Sequence, residues 1–222
     1  MKYAAILFDL DGTLIDSAPD LLTTLDELLI QYGRQPCVHE AYRRYVSDGS
    51  LKLLQLGFAD DYPIPIAELW QAYLQKYQQQ NTRYTDFYDG IPVLLDAIEA
   101  SQTPWAVVTN KYTEPTVPIA KHLKLDQRAA AIVCGDTLPV LKPDPSSLLL
   151  ACKMMGIDSE KCIYIGDSHK DIIAGQLAGM ATIACAYGYI KEDDDISTWG
   201  ADHIVQTPHD ILTLLQASTF ND

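Results

Sequence analysis

The stretch that decides the fold is Tyr3-Ala4-Ala5-Ile6-Leu7-Phe8-Asp9-Leu10-Asp11-Gly12-Thr13. A compact apolar run stopped by acids and a glycine reads as a strand buried on both faces of a parallel sheet. Side chains two apart in an extended segment point the same way, so Asp9 and Asp11 face one place together at the strand's carboxyl end. Two ionised carboxylates that close coexist only if a cation binds them or one holds a proton. Both solutions suit phosphoryl transfer, with Asp9 as metal ligand and nucleophile and Asp11 as general acid, then general base. The plainer alternative is that Asp11-Gly12 only makes a turn.

Similar apolar runs recur at Trp105–Val108, Ala130–Cys134, Cys162–Ile165, Ala181–Ala184 and His203–Val205. Helical patterns lie between most of them, at Ile91–Ser101, Ser146–Met155 and His169–Ala178. This alternation predicts an α/β fold: a Rossmann-like parallel sheet with helices on both faces. One interval breaks the rhythm. Between Phe8 and Pro104 nearly everything is helix-patterned, with stripes at Leu21, Leu22, Leu25, Leu28 and Leu29, and at Ile66, Leu69, Trp70, Tyr73, Leu74 and Tyr77. Leu51, Leu54 and Phe58 suggest a third. An α-helical cap inserted after the first strand is expected at residues 16–85, with the core domain at 1–15 and 86–222. Ligands bind beyond the carboxyl ends of such strands, so the insertion is placed to act as a lid.

Three further groups follow predicted strands. Gly166-Asp167-Ser168-His169-Lys170-Asp171 offers Asp167 to complete oxygen coordination of magnesium, and Asp171 to coordinate or to orient a ligand water or Lys142. It equally reads as a helix start capped by Asp167 or Ser168. Thr109-Asn110 offers a hydroxyl and backbone amides to phosphate oxygens, though it is also common turn chemistry. Lys142 lies in Leu141-Lys142-Pro143-Asp144-Pro145, where the prolines predict an extended loop aiming one ammonium at a fixed point. Alone it reads as a surface lysine.

Composition narrows the partners. The chain has 222 residues, 16 basic against 30 acidic, and a formal net charge of −14. That disfavours nucleic acid, whose phosphates need a cationic footprint. A phosphate ester would have to meet local positive charge, from a metal, a lysine and helix N-termini. No apolar run approaches a membrane span, and the first one is too short for a secretory signal, so a cytoplasmic protein is expected. The cysteines, Cys37, Cys134, Cys152, Cys162 and Cys185, are odd in number and lack Cys-x-x-Cys spacing, which suggests reduced thiols and no zinc site. Arg43 and Arg44 read as a solvated helix face, Asp193–Asp195 as a solvated loop, and Tyr73 and Tyr77 as packing.

Taken in order, Asp9-Leu-Asp-Gly-Thr13, Val108-Thr109-Asn110, Lys142-Pro143 and Gly166-Asp167-Ser-His-Lys-Asp171 resemble the motifs of the haloacid dehalogenase superfamily of phosphatases over essentially the whole chain. The resemblance implies Asp9 as nucleophile and Asp11 as acid/base. It implies Mg2+ held by Asp9, Asp167 and the backbone carbonyl of Asp11, and phosphate held by Thr109, Asn110 and Lys142. Dehalogenating members lack a second acid at the position of Asp11, which points to phosphatase. Thr109-Asn110-Lys111, Lys142-Pro-Asp-Pro145 and Tyr187-Gly-Tyr189 resemble the phosphoglycolate phosphatase group. Tyr187-Gly-Tyr-Ile190 with Asp193–Asp195 and Trp199-Gly-Ala-Asp202 resembles its relatives acting on N-acetylmuramic acid 6-phosphate. Val46-Ser47-Asp48-Gly49-Ser50 departs from the Val-Gly-Asn-Gly-Ala usual in phosphoglycolate phosphatases. The expectation is a small phosphate-ester substrate, no nucleic-acid or membrane partner, and a monomer or homodimer. A phospho-accepting signalling module and a sugar-phosphate mutase are the competing readings. The first is about half this length and carries no lid.

Overall fold

The computed structural model describes residues 1–59 and 61–217; Asp60 and residues 218–222 of the expected core range lie outside the described residues. The first strand, β1 (Ala5–Phe8), is followed by the short β2 (Ile15–Asp16). Four helices come next: α1 (Ala18–Gln31), α2 (His39–Arg43), α3 (Ser50–Phe58) and α4 (Ile66–Gln80). The chain returns through β3 (Asp86–Phe87), α5 (Ile91–Ala100), β4 (Trp105–Val108), α6 (Thr113–His122), α7 (Leu125–Arg128) and β5 (Ala131–Val133). It ends with α8 (Ser146–Met155), β6 (Cys162–Gly166), α9 (His169–Leu177), β7 (Ala181–Cys185), β8 (His203–Val205) and α10 (Pro208–Ala217).

Six strands form one parallel sheet in the order β5-β4-β1-β6-β7-β8. Alternation within each strand explains the continuous apolar runs. Ile6, Phe8, Trp105, Val107, Ile163 and Ile165 pack on one face, under helices α5, α6 and α10. Ala5, Leu7, Ala106, Val108, Cys162 and Tyr164 pack on the other, under α8 and α9. With both faces covered, every position of β1 is buried. Phe8 meets Trp105 edge to face at 6.3 Å. Burial of each large side chain of this kind contributes about 1.5–3 kcal/mol.

The chain moves outward from β1 to β4 and β5, then crosses back to β6 on the other side of β1. That reversal opens a crevice beyond the carboxyl end of β1, the place where open α/β sheets bind ligands.

The helical insertion follows β1 as expected. Its own apolar cluster joins Leu22, Leu25 and Leu29 of α1, Leu54 and Phe58 of α3, and Tyr73 of α4. Leu51 is a correction: it is 41% exposed, and Leu53 takes the buried place. The two connections to the sheet run side by side, with Ile15 opposite Phe87 and Asp16 opposite Asp86 in an antiparallel pair. Asp20, buried at the start of α1, ties them: it accepts bonds from Thr85 N at 2.8 Å, Thr85 Oγ1 at 2.7 Å and Tyr84 N at 3.0 Å. Among the described residues no helix is long and apolar enough to cross a membrane.

Candidate active site

Each strand that borders the crevice delivers one group. Asp9 N donates to Ile165 O at 2.8 Å, so β1 stays paired with β6 to its end, and the Asp9 side chain leaves the sheet there. Thr109 N donates to Val133 O at 2.9 Å in the same way at the end of β4. Gly12, at φ +84°, lets the backbone pass beneath Asp167. A Cβ at Gly12 would lie 2.1 Å from Asp167 Oδ2.

Lys142 is the hub. It is only 4% exposed, not the surface lysine its loop suggested. Its Nζ lies 2.8 Å from Asp9 Oδ1, 2.7 Å from Asp171 Oδ1, 3.0 Å from Val108 O and 2.7 Å from Tyr164 Oη. The expected extended loop is a tight turn, closed by Asp144 N donating to Leu141 O at 3.0 Å, with a cis Lys142-Pro143 bond. Proline favours turns as readily as extension, and Asn110 decides between them. Its side chain accepts from Lys142 N at 2.9 Å and donates to Lys142 O at 3.1 Å, clamping the loop onto the end of β4. The Asn110 amide is therefore engaged in holding Lys142. Burial opposes the Lys142 charge, but Asp171 and Asp9 outweigh it and its pKa is raised.

Asp9, Asp167 and Asp171 are buried, and one carboxylate oxygen of each lies within 4.8 Å of the others. Burial, reinforced by Asp171 and Asp11 and only partly offset by Lys142, pushes the Asp9 carboxyl up to about 7. Burial and the neighbouring Asp9 and Asp171 push Asp167 well above the ordinary carboxylate range. Fully ionised, three buried acids facing one ammonium would leave two negative charges unmatched. A divalent cation with oxygen preference fits that deficit and that donor set. Asp171 also closes α9: its carboxylate accepts from Ser168 N at 3.1 Å while Ser168 Oγ accepts from Lys170 N at 3.2 Å. The helix-cap reading of that motif holds through Ser168, while Asp167 and Asp171 also face the acid cluster.

Asp11 faces the same crevice from its other side. Ser17 Oγ donates to its Oδ1, and Lys111 Nζ contacts Oδ1 at 3.0 Å and Oδ2 at 3.3 Å. Thr109 Oγ1, 3% exposed as a residue, accepts from Lys111 N at 3.1 Å, which directs the chain from Thr109 to Lys111.

Several residues here escaped the sequence reading. Lys111 carried a signal, because it directly follows Thr109-Asn110 at a strand end. Tyr164 carried a weaker one, a polar tip in an apolar strand; its hydroxyl donates to Val108 O at 2.9 Å and touches Asp171 Oδ1 at 3.2 Å. Ser47 and Tyr189 stood in quoted motifs without a role, since their roles arise only when helical insertion and sheet meet. Ser47 Oγ donates to Asp167 Oδ2 at 3.1 Å, and Tyr189 N to the same oxygen at 2.9 Å. The Tyr189 hydroxyl reaches Asp16 Oδ1 at 2.9 Å and accepts from Ser17 N at 2.8 Å. Arg43 and Arg44 are corrections. Rather than a solvated face they are ion-paired to Asp16 at 2.8 Å and Glu192 at 2.6 Å, where the helical insertion meets residues flanking the crevice. Lys191 pairs with Asp48 at 2.8 Å across the same seam.

Between sheet and helices lies a cavity of about 300 Å³, lined by Asp9, Asp11, Thr109 and Lys142 below and by Trp70 and Tyr77 above.

Residues 6–185 match the family model of the haloacid dehalogenase-like hydrolases, and the chain belongs to that family. Relatives named phosphatases place it among the phosphoric monoester hydrolases. An N-acetylmuramic acid 6-phosphate phosphatase of Pseudomonas aeruginosa is 39% identical over 216 residues, covering 97% of this chain and 96% of that one. A phosphoglycolate phosphatase of Xanthomonas campestris pv. campestris is 38% identical over 205 residues, covering 92% of each. The crystal structure of a predicted phosphoglycolate phosphatase from Haemophilus somnus superposes with a TM-score of 0.84 at 25% identity, over 97% of this chain and 99% of that one.

Proposed function

We propose that this protein is a magnesium-dependent phosphatase of a small phosphorylated acid, working through a phospho-aspartate on Asp9, with residues 16–85 as a cap over the core. The observation that carries the reading is the buried cluster in which Lys142 bridges Asp9 and Asp171 while, among the described residues, no cation pairs with Asp167 beside them.

Asp9, Asp167 and the backbone carbonyl of Asp11 are the groups to hold Mg2+, which when bound neutralises charge on the acids and on the phosphoryl oxygens. Lys142 and Thr109 bind and orient those oxygens. A carboxylate oxygen of Asp9 attacks phosphorus, and the bond from phosphorus to the ester oxygen breaks. Asp11 gives its proton to that departing oxygen. Asp11, now a carboxylate, takes a proton from water, which attacks phosphorus and breaks its bond to Asp9. Phosphate leaves and Asp9 is restored. Tyr164 and Asn110 hold Lys142 in register, from the side chain and the backbone. The cap excludes bulk water while these charges shift.

Two acids are the substrates to weigh, glycolate phosphate and N-acetylmuramic acid 6-phosphate, after the relatives of like identity. The cavity favours the second. Leu21, Leu51, Trp70, Leu74 and Tyr77 give it an apolar roof wider than a two-carbon acid requires. Its volume falls at the lower end of the roughly 300–1,000 Å³ of small-molecule pockets. The test is a panel of kcat/KM values, with and without magnesium, for both acids and for neutral sugar phosphates. The reading expects magnesium-dependent turnover with N-acetylmuramic acid 6-phosphate foremost. Equal, metal-independent turnover of all of them would contradict it.

A further inference from the structure

Among the described residues, three cations line the cavity: Lys142, Lys170 and Lys111. Lys142 is fully committed to the phosphate end. Lys170 is exposed at the rim. Lys111 is neither. Its side chain is 10% exposed, enclosed between Asp11 of the core and Tyr77 of helix α4 in the cap, with its ammonium 4.9 Å from the Tyr77 ring centre.

In this arrangement Lys111 chelates both oxygens of Asp11, and Ser17 occupies one of them as well. Asp11 must bring an oxygen to the departing group of the substrate, and an ammonium spanning both oxygens obstructs that approach. The pair therefore has to open once substrate is bound. A buried ammonium deprived of its counter-ion is costly, so Lys111 needs a second anion within reach. On the phosphatase reading, phosphate binds on the other side of Asp11, against Lys142. What Lys111 can reach instead is the part of the cavity that receives the leaving group. A second donor stands there: Tyr77 lines the cavity, and its buried hydroxyl faces the Lys111 ammonium and has no other hydrogen-bond partner among the described residues. A buried hydroxyl whose own proton has no acceptor, beside a buried ammonium, is a ready receptor for an acceptor-rich anion.

We propose that Lys111, with the Tyr77 hydroxyl beside it, is the specificity determinant that binds a carboxylate carried by the leaving group, and that the substrates are phosphate monoesters of hydroxy acids. The exchange of Asp11 for that carboxylate frees Asp11 as the acid arrives, so substrates lacking it leave the Lys111–Asp11 pair closed. This rests on the phosphatase reading above. The carboxylate has two sources, a short hydroxy acid such as glycolate or the lactyl arm of a muramic acid.

The test compares two matched pairs in wild type, Lys111→Met, Lys111→Arg and Tyr77→Phe. One pair is N-acetylmuramic acid 6-phosphate against N-acetylglucosamine 6-phosphate, which lacks the lactyl carboxylate. The other is 2-phosphoglycolate against 2-hydroxyethyl phosphate. Wild type is expected to prefer the acid in one pair. Lys111→Met should cut that preference, the ratio of the two kcat/KM values, by about 10- to 100-fold. Tyr77→Phe should cut it a few-fold, and Lys111→Arg should retain part of it. The pair in which preference collapses names the source. The inference is overturned if wild type shows no preference in either pair. It is equally overturned if Lys111→Met, or Tyr77→Phe and Lys111→Arg should the methionine variant not fold, lowers acid and neutral partner by one common factor. Failure of the phosphatase reading looks different: wild type would then release no phosphate even from p-nitrophenyl phosphate with magnesium.

Discussion

The floor and the roof of the cavity are built differently. Below, charges are buried, multiply bonded and fixed at strand ends: Lys142 touches four oxygens, and Asp171 serves a helix cap and an ion pair at once. Above, the cap offers apolar side chains and single contacts, such as Ser47 on Asp167, while its seam with the core is held by half-exposed pairs. The floor can do one kind of chemistry and tolerates little change. The roof carries fewer such bonds. Preorganised charge is also where removal of one partner is most costly.

Lys142→Met should break that comparison hardest. It leaves Asp9 and Asp171 buried without their cation, costing about 3 kcal/mol of stability and on the order of 10³ in kcat. Activity within tenfold of wild type would show that the floor does not depend on its hub.

A smaller effect comes from pH. Asp9, raised to about 7, and Asp167, also raised by burial and its acidic neighbours, hold protons in the metal-free folded state that the unfolded chain has released above about pH 4. Native protein then binds more protons than unfolded protein, so metal-free stability is fullest at acid pH and falls as pH rises from about 4 through 7. The loss should reach a few kcal/mol, read as a falling Tm. Magnesium competes with those protons, so it should raise Tm most at pH 7 and above. A metal-free Tm that climbs across that range would contradict the burial argument.

The roof should yield least. Lys191→Ala removes the pair with Asp48 and should change unfolding free energy by under about 1 kcal/mol, less in high salt. A loss near 3 kcal/mol would make the seam part of the fold and not a contact between two bodies.

The same division governs what the sequence made legible. Strand runs such as Ala5–Phe8 carry the fold because two-sided burial leaves an unbroken apolar signature. Asp9, Thr109 and Asp167 follow, since strand ends place them, and Lys142 follows in the loop after β5. The structure brings all four together, with Asp171 and Asp11. Lys142 in a turn rather than an extended loop was hidden, because the Asn110 clamp comes from a different strand. Arg43 and Arg44 read as solvent-facing because their partners, Asp16 and Glu192, meet them only through docking of helices onto the sheet. Leu51 showed the same failure from the other side, an apolar residue that faces a cavity instead of a core.

The most direct test of the central claim is to trap the enzyme during turnover. A rapid acid quench of wild type with magnesium and a phosphate ester labelled in phosphorus, followed by proteolysis, should leave label on the peptide that carries Asp9. Asp9→Asn should carry none and release no phosphate while remaining folded. Full phosphate release with no label ever on Asp9, or an active Asp9→Asn protein, would contradict the covalent mechanism.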